Sequence, residues 1–315
     1  MPPPHITALA WASDVHDDLN GSVRLIKDEK SMKTLLVRLR LYRSLIKIPQ
    51  TGLLLATGLA GYMSASCPVT HWKSIVSLTS SLFLAICGST VLNMWYDRDI
   101  DGKMKRTQNR PLASGKLDAR EALLLGLALS VIGVMWAILI NPLYGLIVFA
   151  GLFFDVGIYT IWLKRRTCWS IIWGGISGGM PILAGRTLGV GSIDLIGIVL
   201  ALGILFWIPT HILTFNMRQF NDYQIAGVPT FPQIYGFSVT RTAIAASSLL
   251  AALAMGFASW GIGLTWGFLR LLGVLSVGLL LLAIGMIFRP SERLNFGLFK
   301  FASIYMLSSM LLMMI

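Results

Sequence analysis

Nine stretches of about 20 mostly apolar residues run through this chain, at roughly 45–65, 73–96, 119–140, 142–163, 170–190, 193–216, 239–261, 264–288 and 295–315. That length is what a helix needs to cross a bilayer. The first stretch is the weakest, because Lys47 and Pro49 sit near its start. Composition agrees: of 315 residues, 55% are apolar and 13% charged, about half the usual charged share. Mean hydropathy is +0.72. So few charges cannot cover so much apolar surface in water, which excludes an ordinary cytosolic enzyme, a disordered chain and a soluble nucleic-acid binder. The net charge of +12 therefore points to anionic lipid headgroups or a phosphorylated membrane substrate, not to nucleic acid. Cys67, Cys87 and Cys168 have neither metal-ligand spacing nor an even count, and read as apolar fillers.

The distribution of positive charge predicts an orientation. With the N-terminus inside, the inner segments are 1–44, 97–118, 164–169, 217–238 and 289–294. Among 26 Lys and Arg residues, only Lys73, Arg186 and Arg270 fall outside these segments and the flanking helix ends. The expectation is an integral protein of the cell or inner membrane, N-terminus cytoplasmic and C-terminus on the opposite side. Residues 1–44 lack a signal-peptide pattern and read as a cytoplasmic extension, with an amphipathic helix over Leu25 to Leu45. Residues 45–315 form the membrane domain. Helices 1–4 and 5–8 would be parallel pseudo-repeats, with one helix left over. Leu92-Asn93-Met94 and Phe215-Asn216-Met217 end the second helix of each half and are followed by acids. Two polar loops would then meet at one end of a single all-α bundle around a central cavity.

The most informative phrase is Asn93-Met-Trp-Tyr-Asp97-Arg-Asp99-Ile-Asp101. Four-residue spacing places Asn93, Asp97 and Asp101 on one helical face, drifting about 40° per step. Stacked carboxylates need a compensating cation, and oxygen ligands of this kind suit Mg²⁺, which commonly bridges to substrate phosphates. Lys103, Lys105, Arg106 and Arg110 follow as donors for a diphosphate.

At these residues the sequence resembles a known family. Asn93 to Gly115, NMWYDRDIDGKMKRTQNRPLASG, is similar to the first motif, N-x-x-x-D-x-x-x-D, of the UbiA superfamily of intramembrane prenyltransferases. Met104-Lys-Arg106-Thr107-x-x-Arg110-Pro111, Leu163-Lys164-Arg-Arg-Thr167 and Gly178-Gly179-Met180-Pro181 resemble its heme O synthase branch. The resemblance covers roughly residues 45–300 and implies nine helices, an isoprenoid diphosphate substrate, a lipophilic acceptor and Mg²⁺. It places Lys164 and Arg218 with the diphosphate donors. Asp222-Tyr-Gln-Ile-Ala-Gly227-Val-Pro229 is similar to the branch's second loop, where Arg218 stands in place of a first aspartate and Asp222 would hold a second metal. Asp97, Asp101 and Asp222 are thus the expected catalytic acids.

An allylic cation formed there requires a dry pocket, for which Trp95, Tyr96, Phe153, Phe154, Tyr159 and Trp162 offer π faces. Asp155 is an acid at membrane depth, which needs a partner or a cavity. His211 matches the histidine of a P-P-H-F-W segment in heme O synthases, here Pro209-Thr210-His211-Ile212-Leu213. Arg186 stands where that branch has tryptophan, and reads either as an interfacial anchor or as a binder of an anionic acceptor group. The glycines at 174, 175, 178 and 179 allow close helix packing. Farnesyl transfer to protoheme is the first expectation. Transfer to a quinone precursor or a glycerophosphate lipid, and terpene cyclisation, are its chemical alternatives; an ion-coupled transporter is the non-enzymatic one.

Overall fold

The computed structural model describes residues 38–65 and 72–314. Residues 38–45 are helical; the part of the expected amphipathic helix before residue 38 lies outside the described residues, as does Cys67. From residue 48 the order is α1 (Ile48–Met63), α2 (Trp72–Tyr96), α3 (Arg98–Lys103), α4 (Ala119–Ile140), α5 (Pro142–Leu152), a π-helix (Phe153–Leu163), α6 (Ser170–Val190), α7 (Leu195–Arg218), α8 (Phe220–Ala226), α9 (Phe231–Ile262), α10 (Trp266–Phe288) and α11 (Glu292–Met313). No strand occurs among the described residues.

Seven spans among the described residues are long and apolar enough to cross a membrane: α2, α4, α5 with its π-helical continuation, α7, α9, α10 and α11. The protein is an integral membrane protein. Two of the nine expected spans are helical but fall outside that seven. Helix α1 has 16 residues, about 24 Å at 1.5 Å each, short of a hydrocarbon core of about 30 Å. Helix α6 is long enough at 21 residues, but six glycines and Arg186 dilute its apolar character. Both are packed on other helices: α1 lies against α6, and α6 lies against α5 and α7.

Local chemistry sets several of the boundaries. Asn141 caps α5, its side chain accepting from the N–H groups of Leu143 (2.9 Å) and Tyr144 (3.0 Å), and Pro142 fills the first helical position, where no N–H is needed. Helix α9 bends at Gly236, whose φ of 78° and ψ of 168° belong to a region open essentially to glycine. The pairing of α2 with α4 repeats as α7 with α9. Helices α1 and α6 approach so closely that a Cβ on Gly185 would stand 1.9 Å from the carbonyl oxygen of Gly58. Of the four glycines expected to allow packing, Gly179 meets backbone, with a Cβ 2.8 Å from Ala201 O. Gly175 and Gly178 meet the ends of Leu205 and Ile208, and Gly174 meets the Tyr159 ring.

Candidate functional site

The polar column of α2 extends one turn deeper than the motif. Ser89, Asn93, Asp97 and Asp101 recur every four residues, and a second column on the π-helix faces them. Asp155 accepts hydrogen bonds from Ser89 Oγ and from Asn93 Nδ2 (2.9 Å). Thr160 Oγ1 donates to Asn93 Oδ1 and sits 2.7 Å from the carbonyl oxygen of Asp155. In an α-helix Thr160 would point about 140° away from Asp155. The wider π turn brings both to one face, and π segments are frequent at functional sites.

Above this ladder lie the acids. Asp97 closes α2 and is 5% exposed. One of its carboxylate oxygens is ion-paired to Lys164. The other lies 3.9 Å from Arg165 Nη2 and has no hydrogen-bond partner. Asp101, also buried, pairs with Arg110 Nη1 at 2.7 Å. Asp99 points outward, and Arg165 holds it through two bonds of 2.7 and 2.8 Å; these bonds keep its carboxyl below the usual carboxylate range. The side-chain cations paired with these acids are Lys164, Arg165 and Arg110.

The second loop meets the first. The backbone N–H of Arg106 donates to Asp222 Oδ2 at 3.2 Å. Beneath that contact Ile100 and Met104 pack against Ala226 and Val228. The apolar seat explains why two charged loops stay together: burying these side chains removes area worth about 25 cal/mol per Å² from water. Lys47, at the start of α1, completes the neighbourhood. It is the sole non-glycine with positive φ (46°) among the described residues, and it lies within electrostatic reach of Arg110, Lys164, Asp101 and Asp155.

The other expected site residues separate into groups. Asn93, expected as a metal ligand, has both ends of its amide engaged by Asp155 and Thr160. Lys103 is exposed at the end of α3. Arg106 and Arg218, expected on the diphosphate, seat their guanidinium groups over Phe215 (5.0 Å) and Phe296 (4.0 Å). Tyr96 is a platform for Arg165, 4.5 Å from its ring, and donates to Ile161 O. Phe153 and Trp162 are half exposed, whereas Phe154 stacks on Trp173 and Tyr159 lies under Lys164 at 5.6 Å. His211 is held between Trp207 and Phe299, with Ser303 Oγ 3.3 Å from Nδ1.

Arg186 corrects both of its expected roles. It is 6% exposed, and its guanidinium grips Asp194 through Nε and Nη2 at 2.7–2.9 Å while Nη1 donates to Ser64 O at 2.6 Å. It joins the ends of α1 and α6 to the start of α7. Along α6 it stands 16 residues beyond Ser170, about 24 Å from the end near Lys164, and its donors are taken up by Asp194 and Ser64.

Whether Mg²⁺ suits these residues can be judged from the donors. Among the described residues no group of three or more His, Cys, Asp or Glu converges as a metal site. Mg²⁺ does not need one, since it is commonly held by one or two carboxylates with substrate phosphates and water. A buried carboxylate oxygen on Asp97 without a hydrogen bond, near Asp101 and beside the Asp222 loop, fits that mode. Lys47, Ser89, Thr160 and Arg165 were not singled out by the sequence. Ser89 was findable as the next step of the four-residue column; Thr160 was hidden because a π segment breaks the 3.6-residue period.

Comparison with known proteins supports the same direction. A protoheme IX farnesyltransferase of Korarchaeum cryptofilum is 41% identical over 206 residues, covering 65% of this chain and 69% of that protein. One of Pyrobaculum islandicum is 34% identical over 270 residues, covering 83% and 94%. Among solved structures, a digeranylgeranylglyceryl phosphate synthase superposes with a TM-score of 0.73 at 20% identity, covering 88% of this chain and 97% of that one. A UbiA homolog from Archaeoglobus fulgidus bound to GPP and Mg²⁺ gives 0.66 at 16% identity, covering 87% and 99%. The UbiA prenyltransferase family model matches residues 54–304. With the motif on α2, the paired loops and this match in agreement, the chain belongs to the UbiA prenyltransferase family.

Proposed function

We propose that this prenyltransferase ionises an isoprenoid diphosphate, farnesyl diphosphate first among candidates, and transfers the prenyl group to protoheme. The relatives named above support that acceptor. In this reading nine helices span the membrane, α1 and α6 included, with the N-terminus and both acid loops on the cytoplasmic side and a cavity between the two halves.

Asp97, Asp101 and Asp222 would hold Mg²⁺. When bound, the metal would neutralise the diphosphate and stabilise negative charge on the departing oxygens. The chain's own residues do the rest. Lys164, Arg165 and Arg110, which pair with the acids in this structure, would turn their donors to the diphosphate oxygens. Lys47 adds positive potential from the facing side. Tyr159 and Phe154, with the Asp155 ladder sealing the space below, would keep water from the allylic cation. His211 would contact the acceptor. The observation that carries the reading is the buried Asp97 carboxylate, with one oxygen on Lys164 and the other lacking a hydrogen bond. Arg186 no longer favours a quinone-type or glycerophosphate acceptor, because Asp194 and Ser64 occupy it.

The test is to supply labelled farnesyl diphosphate, Mg²⁺ and heme to membranes carrying the protein. Diphosphate release and a prenylated heme are expected, and Asp97→Asn or Asp101→Asn should abolish both while the melting profile stays unchanged. Near-normal turnover in either variant would overturn the metal assignment.

A further inference from the structure

Trp207, His211 and Phe215 recur every four residues along α7 and so share one face. Helix α11 sets Phe296, Phe299 and Ser303 against it. The rings form a continuous wall: Trp207 to His211 at 5.0 Å, His211 to Phe299 at 4.5 Å, Phe299 to Phe215 at 5.8 Å, and Phe296 to Phe299 at 6.5 Å. At its inner end stand three cations. Arg106 sits over Phe215 at 5.0 Å, and Arg218 (4.0 Å) and Lys300 (4.4 Å) over Phe296. All three are exposed.

None of the three forms an ion pair with a carboxylate among the described residues; the acids near the first motif have partners of their own in Lys164, Arg165 and Arg110. Asp222 takes the backbone N–H of Arg106, not its guanidinium. Arg218 and Lys300 share the Phe296 ring and repel one another; the neighbouring acid, Asp222, is engaged by the Arg106 backbone N–H, and a cation resting on a ring face keeps its polar hydrogens free for another partner. Arginine's planar fork matches a carboxylate in particular. Through Arg106 the row also adjoins the Asp222 loop, so an acceptor held there would lie next to the diphosphate site.

We propose that this wall is the acceptor subsite and that Arg106, Arg218 and Lys300 bind carboxylates on the rim of a flat macrocyclic acceptor. The proposal rests on the heme-type acceptor reading above. It assigns these three cations to the acceptor and leaves the diphosphate to Lys164, Arg165 and Arg110.

The test compares protoporphyrin IX with its dimethyl ester, which keeps the ring and removes both negative charges, in binding to the purified full chain. The free acid should bind at least about tenfold more tightly than the ester, roughly the weight of one charge-assisted contact. In an Arg218→Gln/Lys300→Gln variant that preference should shrink to within about twofold, while KM for farnesyl diphosphate stays unchanged. Equal binding of acid and ester by the wild type would overturn the clamp and leave the acceptor reading standing. So would a variant whose KM for the diphosphate rises while porphyrin binding holds, since the row would then serve the diphosphate. Binding of neither porphyrin would overturn clamp and heme-type acceptor together, with labelled diphosphate release still reporting on the ionisation site.

Discussion

At the scale of single residues, charge pairing decides most of what happens. Lys164 serves Asp97 in the free protein and, by proposal, the diphosphate in the complex. Lys164→Met should therefore raise KM for the prenyl diphosphate and lower kcat, by an expected tenfold or more in kcat/KM (about 1.4 kcal/mol); an unchanged kcat/KM would count against it. Arg186 lies toward the opposite end of α6 from Lys164, held by Asp194 and Ser64. Arg186→Met strips Asp194 and Ser64 of their donor and should cost on the order of 2 kcal/mol of stability, seen as a lower melting temperature in detergent, with transfer to every acceptor reduced alike. Hydrogen bonding by Arg186 holds the Asp194 carboxyl below its ordinary value. Because the folded value is the lower one, this contribution is complete above the unfolded value of about 3.9 and is lost as pH falls through the folded value. Melting curves of Asp194→Asn should thus be flatter than wild type below about pH 4.

At the scale of elements, the π-helix and the bend in α9 are the features that composition alone does not announce. The π turn aligns Asp155 and Thr160 toward α2. Asp155→Leu would leave Ser89 and Asn93 without their acceptor, costing about 1–3 kcal/mol for each donor left unpaired. Asp155→Asn keeps an acceptor and should cost less; melting temperatures of the two variants decide. At Gly236 a Cβ meets no steric neighbour, so any penalty for Gly236→Ala comes from the backbone, about 1–3 kcal/mol. Were that variant as stable as wild type, the bend would not be fixed by conformation.

At the scale of the whole molecule, the seven apolar helices among the described residues and the family match agree on a membrane bundle, and the proposed orientation rests on the charge distribution. Single cysteines at Ser114 and Gly191 in a Cys-free background test that orientation. A membrane-impermeant thiol reagent should reach position 114 only from the cytoplasmic side and position 191 only from the opposite side. The reverse pattern would invert the topology and place both acid loops outside.

Sequence alone determined the class of fold, because lengths of about 20 apolar residues admit little else than membrane helices, and it marked Asp97, Asp101 and Asp222 through spacing and resemblance. It could not say which basic side chain meets which acid, since Lys164 and Asp97 lie 67 residues apart and meet only once the π-helix faces α2. Nor could it separate Arg186 from the chemistry, because its partner Asp194 is defined by how α6 turns into α7. Periodicity reports which face of a helix is apolar; which polar groups share a face across helices depends on packing and on departures from 3.6 residues per turn, and those belong to the tertiary structure.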